Sequence, residues 1–161
     1  MAILTRAGRA AIVESLMLQP IHLAWGTGDI AWGDDPPPAE SVEATGLIQE
    51  VGRRVASDVG FAEPDDNGDI VVPTGRFARV ETPTNHLYLK FQYDFEDGSE
   101  HVIRELGVFV GTQFIEDLPP GQRYFLPEHI ANPGTLLVFE NTLPNHRSVA
   151  TRETYEFVTT F

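Results

Sequence analysis

The stretch HLYLKFQYDF, residues 86–95, constrains the fold most. Leu87, Leu89, Phe91, Tyr93 and Phe95 recur at every second position. On a strand that spacing puts them all on one face, whereas on a helix it would scatter them around the axis. The chain must therefore build a β-sheet with one buried face, and Leu87, Leu89, Phe91 and Tyr93 are expected in the core. EDGS comes next at 96–99, with Asp97-Gly98 suited to a tight hairpin turn. HVIRELGVFV at 101–110 then reads as the return strand of a hairpin spanning residues 85–110. That register would set Lys90 opposite Glu105 as a cross-strand ion pair. Gly107 marks a bulge or a close backbone approach.

The other segments fill in around this pair. Residues 5–18, TRAGRAAIVESLML, predict a helix capped by Thr5, with Ile12, Val13, Leu16 and Met17 on its apolar stripe and Pro20 ending it. Residues 21–25 predict a strand, 42–52 a second short helix weakened by Gly46, and 53–61 a further strand. DDNGD at 65–69 is a turn, expected to close a hairpin, and RFARVET at 76–82 another strand. Residues 111–134 are rich in Pro and Gly and read as a long irregular loop. LLVFE at 136–140 and TYEFVTTF at 154–161 are the last strands, the second expected to be pinned into a sheet. The expected fold is α+β, mainly antiparallel β as a sheet or sandwich, with one N-terminal helix, in a single domain over residues 1–161.

Charge and composition narrow the function classes. The formal net charge is −13, and eleven bases do not cluster into a basic patch, which disfavours nucleic acid as a partner. The acid is concentrated in residues 29–69, where Arg53 and Arg54 are the only bases. Such a field is a solvated surface or the complement of a basic partner. No apolar run approaches membrane-spanning length. The chain has no cysteine, so disulfides and thiolate metal sites are excluded.

No motif builds a reaction centre. Gly26-Thr27-Gly28 resembles the start of a phosphate loop, but the next residue is Asp29 and no GKS or GKT is present. Asp65, Asn67 and Asp69 imitate a calcium loop that then fails at Ile70 and Arg76. His22, His86, His101, His129 and His146 lack metal-ligand spacing, and no serine sits in a nucleophile motif. No cofactor, metal or catalytic residue is expected.

Three blocks carry a resemblance. LTRAGRAAIVESLMLQPIHLAWGTGD at 4–29 is similar to an opening "T-x-x-G" helix followed by a strand and a Gly-rich turn. TGLIQEVGRR at 45–54 is similar to a "T-x-L-x-x-E-x-x-R" segment, and IRELGVFVG at 103–111 to a "REIGLF" strand. In this order they resemble the N-terminal, baseplate-attachment domain of phage tail-collar fibre proteins over about the first 111 residues. Residues 112–161, an irregular loop plus C-terminal strands, do not look like a fibre shaft, so the chain resembles a short stand-alone relative.

The resemblance implies a non-enzymatic structural component of a contractile phage tail: a baseplate or fibre adaptor, or a collar protein. It implies assembly in the host cytoplasm and residence in the virion tail or neck. The partners would be other tail or neck proteins and further copies of the chain, with no nucleic acid or membrane. Pro- and Gly-rich loops at 24–38 and 111–134 carry large side chains, so Trp25, Trp32, Phe114, Tyr124 and Phe125 are candidate contact residues. Arg53, Arg54, Arg123 and Arg147 are candidate counter-charges across an interface. The alternatives are a carbohydrate-binding β-sandwich module that stacks sugars on Trp25, Trp32 and Tyr124, and a small metal-dependent enzyme.

Overall fold

The computed structural model describes residues 1–161. One helix, α1 (Arg6–Met17), precedes twelve strands: β1 (Ile21–Gly26), β2 (Glu50–Val55), β3 (Asp58–Pro64), β4 (Ile70–Val72), β5 (Gly75–Val80), β6 (His86–Tyr93), β7 (Val102–Val110), β8 (Gln113–Phe114), β9 (Tyr124–Phe125), β10 (Ile130–Asn132), β11 (Thr135–His146) and β12 (Glu153–Thr160). The fold is mainly antiparallel β with one short helix, in the class the sequence predicts.

The chain forms two compact units. The first comprises residues 1–19, 56–91 and 154–161; the second comprises 20–55 and 92–153. The first is built on a five-stranded sheet in the order β12-β6-β3-β5-β4 and the second on one in the order β11-β7-β1-β2-β9. β8 and β10 make a separate two-stranded ribbon.

In the first unit, Thr5 caps α1 by accepting a hydrogen bond from the Gly8 N–H at 3.0 Å. Ala10 and Val13 are its buried residues. Leu16 and Met17 are half-buried beside them, while Ile12, expected on the stripe, faces solvent. Leu87, Leu89 and Phe91 of β6 are fully buried, as their alternation requires, and Phe91 meets Phe157 edge to face. Ala62, Ile70, Phe77 and Tyr88 form a second cluster on this sheet, with Val72 and Val158 against it. The sheet therefore buries side chains on both faces.

The expected 85–110 hairpin does not exist. β6 pairs with β3 and β12, whereas β7 lies between β1 and β11 in the other sheet. Lys90 sits opposite Asp58, not Glu105. The cause lies in the supposed turn. The Asp97 carboxylate accepts from the Arg54 guanidinium at 2.7 Å and from the Asp94 N–H at 2.8 Å, which holds residues 94–97 as a loop. The Arg147 N–H then bonds the His101 carbonyl, so β7 enters beside β11. Phe95, with that loop, is exposed rather than buried.

Three further expectations change. Residues 53–61 are two strands in different sheets, broken at Ser57, whose N–H and hydroxyl both donate to the Lys90 carbonyl. Residues 42–49 form no helix, and β2 begins at Glu50. Residues 65–69 do turn, with Asp65 Oδ1 accepting from the Asn67 N–H, but β3 and β4 do not pair with each other. Both flank β5, and the hairpin turn is the next one, between β4 and β5. At the C-terminus the Phe161 N–H bonds the Asn85 carbonyl, so the last strand is pinned to its sheet's edge as expected.

Candidate functional site

The candidate contact residues gather in the second unit around β1 and β7. On β1, Trp25 is fully buried. Its indole stacks on Tyr93 with centroids 3.5 Å apart and planes at 23°. The Arg147 guanidinium lies 5.0 Å from the indole ring centroid. Indole Nε1 donates to the Tyr124 hydroxyl at 3.1 Å. That reach depends on Gly52, opposite Trp25 on β2, where a Cβ would lie 2.3 Å from the Tyr124 hydroxyl oxygen. Trp25 is a core residue, not a presented one. It offers no free face for a sugar to stack on.

The arginines behave the same way. Arg53 is 1 % exposed and grips Glu50 with two hydrogen bonds of 2.7 and 2.8 Å. It also donates to Thr112 Oγ1 and the Pro133 carbonyl, and its guanidinium covers the Phe109 ring at 4.1 Å. Arg54 bridges Asp97 and Asp94. Burial raises the Asp97 carboxyl above its ordinary range, opposed by its hydrogen bonds and by the Arg54 charge. Arg147 is buried and donates to the carbonyls of Asp94, Asp97 and Thr151. These three side chains hold loops within the chain. Arg123 is exposed and, of the four candidate counter-charges, alone faces solvent.

The 111–134 loop is pinned rather than free. Phe114 on β8 and Phe125 on β9 stack at 3.7 Å, and β9 pairs with β2. His22 on β1 presents its ring edge-on to both, at 5.1 and 5.7 Å. Phe125 is buried, while Phe114 and Tyr124 are half-buried. Burial, and secondarily the Arg53 charge, pull the His22 pKa down to about 4, so the ring is neutral at ordinary pH. Burial also pushes the Tyr124 phenol up to about 12.

Two residues outside the set of candidate contact residues organise the loops. Arg104 and Glu105 are neighbours on β7 and so point to opposite faces. The Glu105 carboxylate is fully buried and accepts from the N–H groups of Gly28, Ile48 and Gln49 at 3.0, 2.9 and 3.3 Å. Arg104 donates to the carbonyls of Gly33, Asp35 and Thr142, and its guanidinium stands 5.5 Å from the Trp32 ring centroid. One residue pair thus fixes both the 27–35 loop and the approach to β2. Two positions further, a Cβ on Gly107 would lie 2.9 Å from a Leu47 side-chain methyl and 3.0 Å from one of Leu136. The signal for Arg104 and Glu105 was present, because they are the charged pair inside the IRELGVFVG block. Their partners are backbone groups, which sequence does not display.

Trp32 is half-buried and Ile30 almost fully exposed, so the 30–35 loop is the part of the expected contact region that does face solvent. No three His, Asp or Glu side chains converge as metal ligands. No helix is long and apolar enough to cross a membrane.

These features define a class: a small, mainly antiparallel β protein whose buried charges brace its loops. A family model described as "Baseplate wedge 3 tail fiber network component" matches residues 1–161, and the chain belongs to that family. It is a structural component of the phage tail and baseplate, and its partners are other tail proteins. The match supports a phage tail and baseplate family, not specifically the tail-collar family that the sequence blocks resemble. No curated protein matches the sequence significantly.

Proposed function

We propose that this protein is an adaptor subunit, present in several copies, that joins tail fibres to the baseplate wedge through protein contacts and without catalysis. The observation that carries the reading is the double anchor of Arg104 and Glu105. It holds the 27–35 loop in one shape before any partner arrives, which lowers the ordering cost of binding. Support also comes from the family match over the whole chain. The contact residues are Trp32 and Arg123, with the exposed parts of Phe114 and Tyr124. Trp25, Arg53, Arg54, Phe125 and Arg147 form the framework behind them.

Deleting the gene and imaging the particles tests this reading. Tails that assemble without fibres, restored by the wild-type chain in trans, are expected. Fully fibred particles from the deletion, or purified tails that lack the chain by mass spectrometry, would overturn it.

A further inference from the structure

In the first unit, Arg6 and Arg9 line a cleft of about 540 Å³ together with residues of the β3 end and the 83–86 segment. They are three residues apart on α1, so both side chains rise from one face of the helix. Neither guanidinium makes a hydrogen bond or ion pair within the chain. The Thr84 hydroxyl, the Asn85 amide and one His86 ring nitrogen are engaged within the unit. The Thr84 hydroxyl donates to the Ala62 carbonyl at 2.7 Å, Asn85 Nδ2 to the Phe161 carbonyl at 3.1 Å, and His86 Nδ1 faces Thr160 Oγ1 at 2.8 Å. Glu63 is the cleft's one carboxylate and forms no ion pair with either arginine. Two guanidiniums are thus left unengaged in a concave site, a geometry suited to a pair of carboxylates.

The second unit offers such a pair. Asp34 and Asp35 are exposed, and neither carboxylate has a partner within the chain. They sit at the end of the loop that Arg104 clamps through the Gly33 and Asp35 carbonyls, and Pro36, Pro37 and Pro38 stiffen the next segment. The adjacent Asp29 is not equivalent, because its Oδ1 accepts from the Ala31 N–H at 2.8 Å.

We propose that the Arg6–Arg9 cleft of one copy receives the Asp34–Asp35 carboxylates of a second copy of this chain. This rests on the multi-copy reading above. It explains how a chain of net charge −13 associates with itself: the attraction is local, between unlike surfaces, and overrides a repulsion that salt screens. A contact between two different surfaces is heterologous and propagates from copy to copy, as a network component requires.

The test uses two full-length variants, R6E/R9E and D34R/D35R, in sedimentation velocity at low salt. Arg6, Asp34 and Asp35 are exposed and Arg9 is half-buried, and circular dichroism melts verify that each variant folds. Each alone places like charges in the contact and is expected to associate at least about tenfold more weakly than wild type. Mixed together they offer a Glu cleft to an Arg loop and an Arg cleft to an Asp loop, so association should return. Variants that associate like wild type, or a mixture that stays dissociated, overturn the proposal. So does a wild-type chain that is monomeric at every concentration; if that chain is still found in purified tails, the adaptor reading survives.

Discussion

Trp25 lies flat on Tyr93, ring centroids 3.5 Å apart, and both side chains are fully buried. The Tyr93 hydroxyl donates to the Leu23 carbonyl, and Trp25 Nε1 donates to Tyr124, so the stack is closed at each polar end. Arg147 adds a cation near the indole. Trp25→Ala would empty the largest fully buried side chain of the molecule. The expected loss is about 3–5 kcal/mol in denaturant melts. A loss below about 1 kcal/mol would mean that the indole is not the centre of this unit's core.

Glu105→Gln separates charge from shape. The carboxylate accepts three backbone N–H groups, and glutamine keeps one oxygen while aiming an NH₂ donor at donors. We expect a loss of about 2–3 kcal/mol, because buried N–H groups are left unpaired. Amide exchange at Gly28, Ile48 and Gln49 should accelerate in the variant. Unchanged exchange at those amides would refute the anchor.

Phe91→Ala tests the strand that was most legible in the sequence. Phe91 is fully buried and meets Phe157 edge to face. A loss on the order of 3 kcal/mol or more is expected on thermal or denaturant unfolding. A loss under about 1 kcal/mol would contradict the burial of this face.

The contrast between Phe91 and Lys90 marks how far the sequence reaches. Strand identity and the buried face of residues 87–93 follow from period two, which is local chemistry. The partner strand does not, because Asp97-Gly98 reads as a turn whether or not Arg54 captures the Asp97 carboxylate. Arg54 is 43 residues away in the chain, and no local pattern reveals the pairing. Burial of Arg53 and Arg147 was hidden for the same reason. An arginine is ordinarily a surface residue, and its acceptors here include the carbonyls of Pro133, Asp94 and Asp97, which any residue supplies. The α1 cap at Thr5 was legible because cap and recipient are three residues apart.

His22 gives the chain a defined acid response. The ring is neutral when folded, with a pKa of about 4, against about 6.5 in the unfolded chain. The folded state therefore binds this proton less readily than the unfolded state, and the group costs nothing above about pH 6.5. Below that, stability falls by up to about 1.4 kcal/mol per pH unit, levelling off near pH 4 at a total on the order of 3 kcal/mol. His86, lowered by burial, and carboxylates elsewhere contribute their own slopes, so the informative quantity is a difference between two proteins. His22→Leu keeps an apolar group against the stacked Phe114 and Phe125 and removes the titration. Denaturant melts of wild type and H22L, run from about pH 7 down to about pH 4, should shift in the variant's favour toward low pH, with the variant gaining relative stability as the wild type loses it. Parallel curves would show that His22 protonates as easily in the folded chain as in the unfolded one, and its burial against the two phenylalanines would then be wrong.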